Sequence, residues 1–191
     1  ELVHIVSIPV GGAHVTNDIA RGLSTPLVHA ERMKTLYGSA IPTPSDNNEV
    51  INVPLIGEEE TGETNQVPRS VLIGIIRPRI EETFELVRDR LVEAGFDKVA
   101  GRRVVLTGGA SQLPGVKEMA GTILDKQVRH GKPHAVAGLA ESVSGPAFST
   151  SVGLLHFAFN NPAEEAKSAY RPVDEPNGHF ARFGQWLRES F

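Results

Sequence analysis

The chain contains no cysteine, which excludes disulfides, thiolate nucleophiles and cysteine-held metals together and fits a reducing compartment. No apolar run approaches the ~20 residues that cross a bilayer as a helix, and no charged-then-apolar leader opens the sequence. Positive charge is not in excess: the net charge is -4, and no basic stripe is interleaved with aromatics, so DNA and RNA are not expected partners. The strings GxSxG and HExxH are missing, as is any nucleophile arrangement. Of the seven histidines, His130 and His134 lie near each other, but Gly131 and Pro133 between them argue against a helical ligand pair. No metal site is expected in the chain itself. What remains is ordinary for a globular protein: 191 residues, 40% hydrophobic and 22% charged, enough for one good core in one or two units.

The most informative stretch is VVLTGGASQLPG, from Val104 to Gly115. Three apolar residues read as a short buried strand, and two glycines free the backbone to turn. Ser111 or Gln112 can cap a helix over Val116 to Lys126. A strand, glycine turn and helix bring unpaired amides and a positive helix end to one point, which suits a phosphate or a ribose against bare backbone. Read locally, a glycine pair after a strand is equally a plain tight turn.

Along the chain, Leu2 to Val10 reads as a strand already under way, with no initiator methionine, which suggests that an N-terminal part is absent. Gly11 and Gly12 follow as a strand-to-helix turn. Thr16, Asn17 or Asp18 could cap the next helix, in which Val15, Ile19, Ala20 and Leu23 fall at helical spacing. STPLVHAERMKTLYG is a second helix, with Ser24 or Thr25 at the cap and Pro26 in the first turn. Ala30, Met33 and Leu36 or Tyr37 share a face, and Gly38 stops it. From Ser39 to Gln66 the texture is loop-rich around one strand-like run, Val50 to Ile56. Val67 to Leu91 is a long helical pattern carried by Val71, Ile75, Ile76, Ile80, Phe84, Val87 and Leu91. Pro78 predicts a bend, or two helices meeting near Arg77. Glu81, Glu82 and Glu85 precede Arg88 and Arg90 as helix-surface pairs. Val128 is a lone strand residue, and Ser149 to Phe159 reads as a helix packing on the sheet.

A stretch without periodicity, residues 160–177, reads as a flexible linker. Beyond it, Phe180, Phe183, Trp186, Leu187 and Phe191 fall on one helical stripe, flanked by Arg182 and Arg188. Separation from the core, an aromatic face and bordering arginines make the profile of a helix lying in a membrane interface. Each large side chain contributes at most about 1.5 to 3 kcal/mol and each arginine near an anionic surface about 1 kcal/mol. One copy therefore binds weakly to moderately, and a polymer binds firmly through effective concentration.

The central string resembles the adenosine-motif loop of the actin, Hsp70 and sugar-kinase superfamily. With Gln112, Leu113, Pro114 and Gly115 after it, it is most similar to the FtsA family of bacterial cell-division proteins. PVGGAHVTNDIA, STPLVHAERMK, the RPR of the long helix, VRHGKP and the terminal aromatic helix resemble that family in the same order. The family's DxGGGT-type phosphate loop would fall just before Glu1. The resemblance implies the C-terminal half of an α/β, actin-like (ribonuclease H-like) protein. Subdomain IIA would span 1–38 and 99–159, an inserted small α+β subdomain IIB would span 39–98, and the linker would lead to a membrane-targeting amphipathic helix over 178–191.

The same resemblance implies ATP, with magnesium, held between this half and another, with Gly108, Gly109 and Ala110 against the nucleoside. Glu31 and Lys34, with Arg32 on the same helix, would reach the adenosine, although the residues alone read as a solvated charged face. No catalytic residue is assigned, and at most slow hydrolysis by a full-length protein is implied. Arg79 first, then Arg77 and Arg69, would pair with the acidic C-terminal tail of FtsZ; alone they read as surface arginines with buried stems. Further implied partners are other copies in a filament, other divisome proteins and an anionic membrane, at the cytoplasmic face of the plasma membrane at the division site. Two other readings share the fold. An actin-superfamily enzyme, a sugar kinase or active ATPase, would need a substrate-hydroxyl base that is not identifiable. A pilus-assembly ATP-binding relative would not be expected to end in the aromatic helix.

Overall fold

The spacing of Val15 and Ile19 becomes the inner face of α1 (Gly12–Gly22) in the computed structural model, and Leu23 is buried at its C-cap. The structure describes residues 3–57, 64–98, 101–133, 138 and 140–160, and it divides into two bodies, Glu1–Val152 and Gly153–Phe191. The helix starts earlier than Thr16, Asn17 or Asp18 would allow, directly behind Gly11, whose amide is accepted by His14 Nδ1 at 3.2 Å. The strand expected before it does not form. Val3 and Ile5 are 77% and 75% exposed, and among the described residues no strand lies beside them. Alternation makes a strand only where a ladder partner exists.

A second helix, α2 (Leu27–Tyr37), begins after Pro26, so neither Ser24 nor Thr25 caps it. Thr25 is buried instead and its hydroxyl donates to the Pro54 carbonyl at 2.6 Å, which ties the α1–α2 turn to the next segment. Ala30 and Met33 are buried, whereas Leu36 and Tyr37 face outward. The strand-like run becomes β1 (Val50–Pro54), with Ile51 and Val53 inward, and it pairs antiparallel with β2 (Thr64–Pro68).

One helix, α3 (Arg69–Glu93), then runs unbroken through Pro78. Proline costs a helix about 3 kcal/mol, and Leu72, Ile73, Ile76, Ile80 and Phe84, buried on both sides of it, offset that at about 1.5 to 3 kcal/mol each. Val71, expected on the buried stripe, is exposed; Leu72 and Ile73 take its place. The surface pairs also differ: Arg77 meets Glu81, Arg79 meets Glu82, Arg88 meets Asp89 and Arg90 meets Glu93.

β3 (Arg103–Leu106) and β4 (Gln127–His130) form a parallel pair joined by α4 (Val116–Leu124). Val104, Leu106 and Val128 pack on the core, while Arg103, Val105 and Arg129 are exposed. Neither Ser111 nor Gln112 caps α4. They belong to a 3-10 turn, Gly109–Gln112, and α4 is led in by Gly115 at φ 83°. One continuous core joins α1, α2, β1, α3 and α4, with α3 packed on both α1 and α4.

The last described helix, α5 (Ser149–Asn160), includes Asn160, expected at the head of the linker. Val152 is buried within the first body, and Leu154, Leu155, Phe157 and Phe159 are exposed. No helix among the described residues is long and apolar enough to cross a membrane.

Candidate functional site

The two glycine turns face each other across one cavity of about 790 Å³ in the first body. Gly11 and Gly12, at the start of α1, line one side, and Thr107 to Ala110, following β3, line the other. Glu31 and Lys34 of α2 and Ile80 of α3 complete the walls that matter for chemistry. Gly108, Gly109, Ala110, Glu31 and Lys34, five residues singled out in the sequence, are thus brought to one place, while Arg32 does not line it.

Gly12 sets how close the turns come: a Cβ there would stand 2.9 Å from the Ala110 Cβ. Its carbonyl accepts from Lys34 Nζ at 3.2 Å, and Lys34 also donates to Thr16 Oγ1 at 2.9 Å and to Glu31 Oε2 at 2.7 Å. Thr16, within α1, donates in turn to Glu31. Burial alone would raise the Glu31 carboxyl, but hydrogen bonds from Lys34 and Thr16, and the Lys34 charge, hold it below its ordinary value. A carboxylate so neutralised is a poor general base at neutral pH.

The turn after β3 is pinned from several sides. The Gly108 amide donates to Pro146 O at 2.9 Å, and Thr107 Oγ1 donates to Ser149 Oγ at 2.6 Å. Ser111 Oγ donates to Gly108 O at 2.7 Å, and His130 Nε2 lies 2.8 Å from Ser111 O. Gly108 is at φ 90°, a conformation that disfavours side chains. Gly109 and Gly11 have no such requirement. Gly11 is extended, and a Cβ on it meets nothing within 4 Å; a Cβ on Gly109 meets only Ala147, at 4.0 Å. Among the described residues, no close neighbour requires glycine at these two positions, which leave bare backbone toward the cavity. That fits a flat group lying close against them, such as a nucleoside. A magnesium ion does not find a ligand set here. Among the described residues no three His, Asp or Glu side chains converge, and Glu31 is committed to Lys34.

The three arginines are all engaged within the chain. Arg79 grips Asp18 of α1 with Nε at 2.5 Å and Nη2 at 3.1 Å, and Nη1 reaches Glu82 at 2.6 Å. Asp18 first, against burial, and then Glu82 raise the guanidinium above its ordinary pKa. Arg69 binds the buried Asp46 at 2.9 Å, Glu49 at 3.1 Å and the Tyr37 carbonyl at 2.7 Å. Arg77 pairs loosely with Glu81, at 3.9 Å. The linker from 161 onward and Phe180, Arg182, Phe183, Trp186, Leu187, Arg188 and Phe191 lie outside the described residues, as does His134.

Sequence reading left Gly11 and Gly12 as a turn and did not find Ile80 or Thr16 at the site. The pairing of two glycine turns at similar distances before a helix was the available signal.

The fold is actin-like α/β, as its likeness to solved structures of MreB proteins shows. MreB5 of Spiroplasma citri bound to ADP superposes with a TM-score of 0.56 at 16% identity, covering 80% of this chain and 45% of that one. The same protein bound to AMPPNP gives 0.54 at 16%, covering 83% and 47%. More narrowly, the model of the cell division protein FtsA family matches residues 1–153, and the chain belongs to that family. It is 48% identical to the cell division protein FtsA of Rhizobium meliloti over 100% of this chain and 44% of that protein. Against that of Neisseria meningitidis the figures are 38%, 98% and 46%, and against that of Escherichia coli K12 they are 32%, 100% and 46%. The chain therefore spans a little under half the length of these relatives.

Proposed function

We propose that this chain forms one wall of an ATP site in an actin-like division protein that polymerises on the inner membrane and tethers FtsZ filaments there. The observation that carries the reading is the cavity: Gly11 and Gly109 leave bare backbone that the chain's own packing does not require, beside a fixed Lys34–Glu31 pair. In this reading the nucleoside lies along Gly108, Gly109 and Ala110, and Lys34 and Glu31 reach its sugar and base. The nucleotide supplies the link between this half and the rest of the protein; its phosphates and magnesium are met by groups outside these residues. Residues 1–38 and 99–159 act as the scaffold subdomain IIA and 39–98 as the partner-binding insertion IIB. Arg79, with Arg77 and Arg69, takes the acidic FtsZ tail, and other divisome proteins join the same filament. The aromatic helix over 178–191 holds the assembly to anionic lipid at the cytoplasmic face of the division site.

Reconstitution tests this directly. With the full-length protein, ATP and anionic vesicles, FtsZ is expected to sediment with the vesicles, and omission of ATP or protein leaves it in solution. FtsZ that stays in the supernatant with all components present would contradict the reading.

A further inference from the structure

Arg79 of α3 and Asp18 of α1 form a two-point clasp, Nε to Oδ2 and Nη2 to Oδ1, across separate helices. This is the planar fork with which a guanidinium recognises any carboxylate, so the geometry that an acidic peptide would need is already filled. Glu82 takes Nη1 as well. One cation therefore carries two carboxylates, and the cluster as a whole is negative, which repels an approaching acidic chain. Arg79 and Asp18 side chains are 28% and 24% exposed, so an incoming carboxylate reaches the pair without unfolding either helix.

We infer that Asp18 is an intramolecular competitor for the acidic partner of Arg79, and that binding there proceeds by exchange of one carboxylate for another. The inference rests on the reading of Arg79 as a partner-binding residue. Its consequence is that the affinity of the site is set by Asp18 as much as by the partner, and that the site is held weak in isolation. Removing the charge of Asp18 frees the fork and takes away one repulsive carboxylate, both of which favour the partner.

The experiment titrates the full chain with a fluorescein-labelled synthetic peptide of the acidic FtsZ tail, read by anisotropy. Asp18→Asn is expected to tighten binding about three- to tenfold, and Arg79→Ala to abolish it in either background. Affinity in Asp18→Asn that is unchanged or weaker, with Arg79→Ala still inactive, overturns the competition and leaves Arg79 in the site. Binding that survives Arg79→Ala removes the site itself and the inference with it. Proton NMR of the Arg79 Nε–H in the unmodified chain gives a second test. The resonance is expected to move as peptide saturates the site, and a clasp to Asp18 that persists at saturation overturns the exchange.

Discussion

Gly12 and Ala110 meet so closely that a Cβ on Gly12 would stand 2.9 Å from that of Ala110. Residues almost a hundred positions apart thereby bring two glycine turns onto one cleft. Gly12→Ala must push the turns apart or shift α1, at a cost of about 1 to 3 kcal/mol for an overpacked contact. Thermal melting should show a lower Tm, with ATP affinity falling alongside. A variant as stable as the parent would mean that the two turns are free to separate.

Acid stability depends on Asp46. The Thr43 backbone N–H holds this buried carboxylate below its ordinary pKa, against the opposing pull of burial, with further lowering from the Thr43 hydroxyl and the Arg69 charge. A lowered folded pKa means that the folded state binds fewer protons than the unfolded one. The stabilisation is complete above the ordinary carboxylate range and is lost below about pH 4. Asp46→Asn should lower Tm at neutral pH, and the gap to the parent should close on acidification. A gap of constant size down to strong acid would remove Asp46 from the acid response.

The proposed function rests its membrane binding on Phe180, Phe183, Trp186, Leu187 and Phe191. In sedimentation with anionic vesicles, Trp186→Glu should lower partitioning roughly tenfold or more, since burying one large apolar side chain contributes about 1.5 to 3 kcal/mol. Equal partitioning of parent and variant, or none by either, would mean that this helix docks on protein.

Much of the fold was legible because helical period and burial coincide. Val15, Ile19, Ala30, Met33, Ile76, Ile80 and Phe84 were spaced for the core and are in it. β2 was not legible, since Thr64, Asn65 and Gln66 are polar and exposed and pair only because β1 lies beside them. The same dependence on a partner misled the reading of residues 3–10, where alternation is present and a ladder is not. Of the two outcomes expected at Pro78, a bend or two separate helices, the second does not occur, because five buried neighbours hold α3 together. At the cavity, the glycine turn after β3 announced itself by its string, and Glu31 with Lys34 by resemblance. Nothing local marks Asp18 as the partner of Arg79, since their contact joins two helices that meet only after folding.

The most direct measurement is ATP titration of the full-length protein carrying Gly109→Ala, alongside its melting temperature without nucleotide. Gly109 is free of positive φ, and its added Cβ meets only Ala147 at 4.0 Å. Stability should therefore stay level or rise by about 0.4 to 1 kcal/mol through the unfolded state. ATP affinity should fall tenfold or more, because the methyl would occupy the space proposed for the nucleoside. Unchanged affinity at unchanged stability would contradict the account, leaving the glycine to serve only the turn.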